Sequence, residues 1–272
     1  MIPASSQVKR LPAVADQFYP ADAIRLKKML NDFLTQVDVD TSSAEKIKAL
    51  IVPHAGYIYS AAIAASAYKL LSQNPDEYKQ VILLGPSHRL SFKGLAISSA
   101  DCYSMPFGDI KINNKLNKKI NTLPQVVKRD DAHLQEHSLE VQLPFLQTLL
   151  KEFSLLPLVV GDCKADEVSE VLELLWDEPN TLFIISSDLS HYLPYQTAIE
   201  MDKNTALAIV EMQPEKINYE HACGRNPING FLLSADKHSL RAQLLDLRNS
   251  GDTAGLHDRV VGYGAFVFTE QK

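Results

Sequence analysis

The chain has 272 residues, a formal net charge of -6 and 46% hydrophobic residues, enough to bury a sizeable core without disulfide staples. The mild acidity argues against a nucleic-acid binder, which needs a basic face. Cys102, Cys163 and Cys223 stand far apart with no CxxC, which argues against a disulfide framework or zinc ribbon and favours a reducing, cytoplasmic setting. Residues 1–16 show no apolar leader segment, and no apolar run approaches the roughly 20 residues of a membrane span. Composition is even, without repeats or linkers, so a single domain over 1–272 is expected.

In chain order, 21–37 reads as a helix with Leu26, Leu30, Phe33 and Val37 on one face. The apolar run 48–53 reads as a buried strand, alanine-rich 59–71 as a helix and 80–84 as a second buried strand. Residues 91–109 are irregular, with strand character over 95–97, and 112–120 is a short helix. A longer helix covers 138–153, with Pro144 as a kink or restart. Strands at 154–160 and 181–186 enclose a helix over 165–176. Helices over 194–212 and 227–236 follow, and the chain closes on two strands, 241–247 and 259–269, read as neighbours joined by the loop 249–258. Short apolar strands alternating with helices require a sheet covered on both faces. The expected fold is therefore α/β, a three-layer α/β/α domain with a mostly parallel central sheet.

The residues just beyond each strand carry the chemistry. The strand at 48–53 runs into Pro53-His54-Ala55-Gly56-Tyr57, and the one at 80–84 into Gly85-Pro86-Ser87-His88-Arg89. The third runs into Gly161-Asp162, and the fourth into Ser186-Ser187-Asp188-Leu189-Ser190-His191-Tyr192. Parallel strands bring their carboxyl ends to one edge, where open α/β sheets bind ligands. Three histidines and two aspartates thus converge on one rim, and imidazole serves there as metal ligand or as acid/base. Cys223 precedes a predicted helix beginning near Pro227, a placement expected to lower its thiol pKa and favour the metal-binding thiolate.

The run Asp130 to Glu140 is dense in ligand-type residues and contains H-x-x-E-H at His133 to His137, the pattern of inverzincin metalloproteases. That chemistry needs one long helix through both histidines, whereas a helix beginning near Ser138 separates them. Walker A, G-x-G-x-x-G and G-x-S-x-G motifs are absent, so phosphate-loop, dinucleotide and α/β-hydrolase chemistry has no anchor.

Together these residues resemble the Memo family, whose bacterial and archaeal members are called AmmeMemoRadiSam system protein B. The matching stretches are Pro12 to Pro20, Val52 to Tyr57, Gly85 to His88, Glu136 to Pro144, Ser186 to Tyr192, Cys223-Gly224 and Val261 to Ala265, in order over nearly the whole chain. The resemblance implies a fold like that of class III extradiol dioxygenases, which hold non-haem iron(II) on two His and one Glu. It implies His54 and His88 as ligands, with Cys223 replacing the carboxylate, and His191 as acid/base with Asp188 beside it. His137, Glu136, Tyr57 and Ser87 are implied as pocket residues. A thiolate is softer than a carboxylate and shifts preference toward copper(I) or zinc.

The expected function is an iron- or copper-binding redox protein, extending to a metal-dependent oxidoreductase, with zinc as a third metal. The alternative is a non-enzymatic protein that binds a small molecule or peptide in the same pocket, where Tyr57, Tyr59, Tyr192 and Tyr195 supply aromatic contacts. The system name implies a radical-SAM protein and its companion protein as functional partners.

Overall fold

The computed structural model describes residues 7–38 and 45–271; part of the N-terminal stretch 1–16 lies outside them. A short strand, β1 (Lys9–Arg10), precedes α1 (Ala23–Gln36). The Asp22 side chain caps the first turn of α1 by accepting from the Arg25 amide, and Leu26, Leu30 and Leu34 face inward at helical spacing. Next come β2 (Ile47–Val52), α2 (Tyr57–Tyr68), β3 (Gln80–Pro86) and β4 (Leu95–Ile97). The stretch read as irregular also holds a hairpin, β5 (Cys102–Met105) and β6 (Gly108–Lys111), turned at Pro106 and Phe107. Gly108 closes that turn at φ 111°, a conformation that L side chains rarely adopt.

The next part holds α3 (Asn114–Ile120), β7 (Val126–Lys128), α4 (Asp130–Leu134), α5 (Leu143–Leu149) and β8 (Ser154–Val160). The helix expected over 138–153 is shorter than its apolar pattern suggests. Residues Glu140–Gln142 form a 3₁₀ turn, and α5 starts afresh with Pro144 in its first turn, where a missing amide costs nothing. It ends where Leu150 turns extended. The chain continues through α6 (Ala165–Leu175), β9 (Thr181–Ser186), β10 (His191–Leu193), α7 (Tyr195–Val210), α8 (Arg225–Lys237), β11 (Arg241–Asn249) and β12 (Val260–Thr269).

The large sheet runs β10-β12-β2-β9-β3-β8-β4-β7, with β11 also on β12, while β1, β5 and β6 form a small second sheet. Its centre, β2, β9, β3 and β8, is parallel. Its flanks are antiparallel: β12 runs against β2, β10 and β11 against β12, and β4 against β8. At the far edge β7 returns parallel to β4, so the fold is the expected α/β class with a mixed sheet whose parallel centre carries His54, His88 and Asp188 at its carboxyl ends.

Alternation along the central strands divides the interior in two. Leu50, Val52, Val81, Leu83, Leu182 and Ile184 join the core beneath α1, α2 and α5. Ala49, Ile51, Ile82, Leu84, Phe183 and Ile185 join the core beneath α6 and α8. With both faces covered, every one of these side chains is buried, which is why the strands read as unbroken apolar runs. Among the described residues, no helix is long and apolar enough to cross a membrane.

Candidate metal centre

Because β2, β9 and β3 are parallel, the residues leaving their carboxyl ends meet at one edge. His54 leaves β2, His88 leaves β3, and Asp188 and His191 leave β9. The chain brings Cys223 to the same edge from the segment before α8. Ligand atoms of His54, His88 and Cys223 all lie within 4.8 Å of one another, and so do those of His88, Glu136 and His137. The three rings pack together: His88 stacks on His137 with centroids 4.6 Å apart, and His54 meets them edge-on at 5.0 and 5.5 Å.

The hydrogen bonds fix which nitrogen of each ring is free. The Ser186 hydroxyl has one proton, and it donates that proton to the Ser138 carbonyl at 2.5 Å. Ser186 Oγ also accepts from the Gln142 amide at 2.8 Å. Toward His54 Nδ1, 2.9 Å away, it acts only as an acceptor, so Nδ1 carries the hydrogen. The neutral ring then keeps its lone pair on Nε2, 3.3 Å from Cys223 Sγ. His88 is set the same way: Nδ1 donates to Glu136 Oε1 at 2.9 Å, and its amide donates to Oε2 at 2.6 Å. A carboxylate or hydroxyl behind each imidazole is how proteins orient histidine ligands.

Burial sets the protonation states. It pushes the His54 pKa well below 6.5, helped by His88, His137 and His191, so the ring is neutral. His137 is lowered to about 4 by burial, against the pull of Glu136, and its Nδ1 is buried with no hydrogen-bond partner among the described residues. Burial would raise the Glu136 carboxyl, but the His88 ring and the His88 and Ser138 amides outweigh it and hold it at about 2. The Cys223 thiol does not follow its expectation. Burial and the nearby Asp188 push it up to about 12, outweighing the hydrogen bonds to the sulfur, although the residue is part-exposed at the cleft wall. Only a cation beside it would favour the thiolate.

The site is seated by close backbone packing. A Cβ on Gly224 would lie 2.6 Å from the Ser187 side chain, and one on Gly85 would lie 2.8 Å from Ser138 Oγ. Asp188 is buried and accepts from the His54 amide at 2.7 Å, tying the exit of β9 to that of β2. The His191 Nδ1–H donates to the Leu189 carbonyl at 2.8 Å, which leaves Nε2 unprotonated in the neutral ring. His88, His191, Cys223 and Ser87 line an open cleft of about 930 Å³. Tyr57, expected there, is 3% exposed instead; the first turn of α2 points it into the core, where its hydroxyl donates to the Val141 carbonyl.

His133 is no ligand of this centre. α4 ends at Leu134, before His137, so no helix passes through both histidines. Tyr103 Oη lies 2.7 Å from His133 Nδ1 and the Ala96 carbonyl 3.0 Å from Nε2, which occupies both nitrogens. Beside it lies a support that the sequence does not reveal. Buried Arg10 pairs with buried Glu140 and donates to the carbonyls of His133 and Glu136. Glu140 also accepts from the Ala13 and Val14 amides and from the Tyr19 hydroxyl. This network clamps the N-terminal segment against the loop that carries Glu136, His137 and Ser138. Its only sequence signal is charge inside an apolar pattern.

The profile of the Memo-like protein family matches residues 10–267. A MEMO1 family protein of Aquifex aeolicus is 36% identical, covering 95% of this chain and 98% of its own. MEMO1 family proteins of Metallosphaera sedula and Sulfolobus acidocaldarius are 35% and 34% identical, covering 97% and 93% of this chain and 100% and 97% of their own. A solved structure of an uncharacterized protein, JW3007 from Escherichia coli K12, shares the fold at TM-score 0.53 and 13% identity, over 81% of this chain and 99% of that one. With its profile match spanning nearly the whole sequence, this chain belongs to the Memo-like protein family.

Proposed function

We propose that this protein is a metal-dependent redox protein, working as a non-haem oxidoreductase with iron or copper held by His54, His88 and Cys223. The observation that carries this reading is the orientation of His54. Its Nδ1 proton is committed to Ser186, so its Nε2 lone pair points to the Cys223 thiol at 3.3 Å. Two imidazoles and one thiol suit iron, copper or zinc, and the soft sulfur favours copper(I) and zinc over the hard cations. Because the thiol is held protonated by burial, loading the metal releases a proton, and affinity rises with pH.

When bound, the metal would supply redox and Lewis-acid chemistry next to the cleft that His88 and Cys223 line. His191, with Nδ1 bound to Leu189 and Nε2 free, accepts or returns a proton beside it. Glu136 keeps the His88 ring in its ligand tautomer, and the His54–His88–His137 cluster forms the inner wall. Elemental analysis of anaerobically purified protein tests the reading. Wild type is expected to carry near-stoichiometric iron or copper, and His54→Ala, His88→Ala and Cys223→Ala to carry background amounts. Equal metal in all four samples would overturn it.

A non-enzymatic binder using the same cleft is the second reading, favoured by the exposed rings of Tyr192 and Tyr219 on its wall. His191→Ala separates the two: an oxidoreductase loses turnover, whereas a binder keeps its affinity.

A further inference from the structure

The distribution of arginine partners sets the cleft apart. Of the eight arginines in the chain, Arg10, Arg129, Arg241 and Arg248 each pair with a carboxylate. Among the described residues, Arg25, Arg89, Arg225 and Arg259 have no carboxylate within ion-pair distance. Two of these four line the cleft and a third packs against one of its lining rings. Arg89 and Arg225 line it, next to His88 and two residues after Cys223 respectively, and the Arg259 guanidinium lies 5.3 Å from the ring centre of lining Tyr192. Asp162 and Glu220 line the same cleft without pairing to either guanidinium, so both keep their donors free. Carboxylates outnumber basic groups in this acidic chain, which makes this local lack of pairing more telling.

Two aromatic rings accompany these cations. Tyr219 is 75% exposed and holds the Arg225 guanidinium 5.1 Å from its ring centre, which reduces the freedom of a long side chain before any ligand arrives. Tyr192 is 62% exposed and sits at φ 57°, in the left-handed region that costs a non-glycine residue about 1 kcal/mol or more. The cause is a register shift between His191 and Leu193 where β10 pairs with β12, which turns Tyr192 outward beside His191.

From this we infer that the substrate is a small organic anion with a flat apolar body, its carboxylate or phosphate held by Arg89 and Arg225 and its body against the aromatic lining residues Tyr192, Tyr219 and Phe92. The inference rests on reading this cleft as the approach to the metal centre. The planar guanidinium fork matches a carboxylate or phosphate in two parallel hydrogen bonds, which a lysine would not reproduce.

The test is binding, independent of turnover. Benzoate, phenyl phosphate, inorganic phosphate and neutral benzamide are titrated by calorimetry into wild type, Arg89→Gln, Arg225→Gln, Arg225→Lys and the double glutamine variant, each metal-loaded and chelator-treated. At least one anion is expected to bind wild type more tightly than benzamide in both metal states. Each single glutamine variant is expected to weaken it about tenfold or more, with Arg225→Lys recovering only part of the loss. Tighter binding of phenyl phosphate than of benzoate assigns the head group as phosphate, and the reverse as carboxylate. Anion affinity that is absent, or unchanged in the double variant, overturns the proposal. Metal content separates this outcome from failure of the metal reading: arginine-dependent anion binding by protein that holds no metal upholds the cleft and rejects the metal, and the converse pattern does the opposite.

Discussion

His54 and His133 are equally buried, each 1% exposed, and burial lowers the pKa of both, yet they belong to different kinds of site. In the shell under β4 and α4, the protein takes both nitrogens of His133. At the carboxyl edge of the parallel strands, it takes one nitrogen of His54 and leaves the other facing a thiol. What separates the two rings is therefore not depth but what the second nitrogen meets, a backbone carbonyl for His133 and the Cys223 sulfur for His54. The protein commits three polar groups, Gln142, Ser186 and the Ser138 carbonyl, to setting the His54 lone pair.

The largest effect that would break this comparison is metal loss. His54→Ala should drop metal content to background by elemental analysis, while His133→Ala, correctly folded, should keep it; equal loss from both would erase the distinction. Next comes the clamp. Glu140→Ala leaves the buried Arg10 guanidinium unpaired and should destabilise the fold by about 3–5 kcal/mol in denaturant unfolding. Glu140→Gln, which keeps the shape, should cost less.

Acid sharpens the contrast next. Burial lowers the folded pKa of His133 from 6.5 to about 4, so its neutral form is the native one. Its stabilisation is present above pH 6.5 and is lost as pH falls through 4, a change of about 3 kcal/mol at the limit. His133→Leu should flatten the stability–pH curve of metal-free protein between those values, and an unchanged slope would show that other groups carry the acid transition. The smallest effect is expected from Ser186→Ala, which frees the His54 tautomer without removing a ligand. Metal affinity should fall about 10- to 100-fold with stability nearly intact.

The rim is legible in the sequence because strand ends can be read from apolar runs, and parallel pairing then forces His54, His88 and His191 together. His137 and Glu136 are legible as a ligand-rich segment, although their local structure is not. An apolar pattern over 138–153 cannot reveal that the backbone takes a 3₁₀ turn before α5. The chain neighbours of Tyr57 point it to the rim, but a residue opening a helix can face either way, and only packing against Tyr19 and Phe145 decides it. The Arg10–Glu140 clamp and the Ser186–Gln142 contact join residues far apart in sequence, and no periodicity encodes such pairs. The Cys223 pKa escapes sequence reading for a related reason, because desolvation is a property of the folded surroundings.

The order of strands in the sheet has a consequence for biogenesis. β9 lies between β2 and β3, so the strands bearing His54 and His88 never touch each other. On the ribosome both emerge long before β9, as largely apolar strands with open edges on the sides that β9 will fill. Until then they are exposed to mispairing and to capture by chaperones. Cys223 emerges later still. The cluster of His54, His88 and Cys223 is therefore among the last features a nascent chain can complete, and a chain truncated before β9 would carry both histidines with no geometry to hold them together.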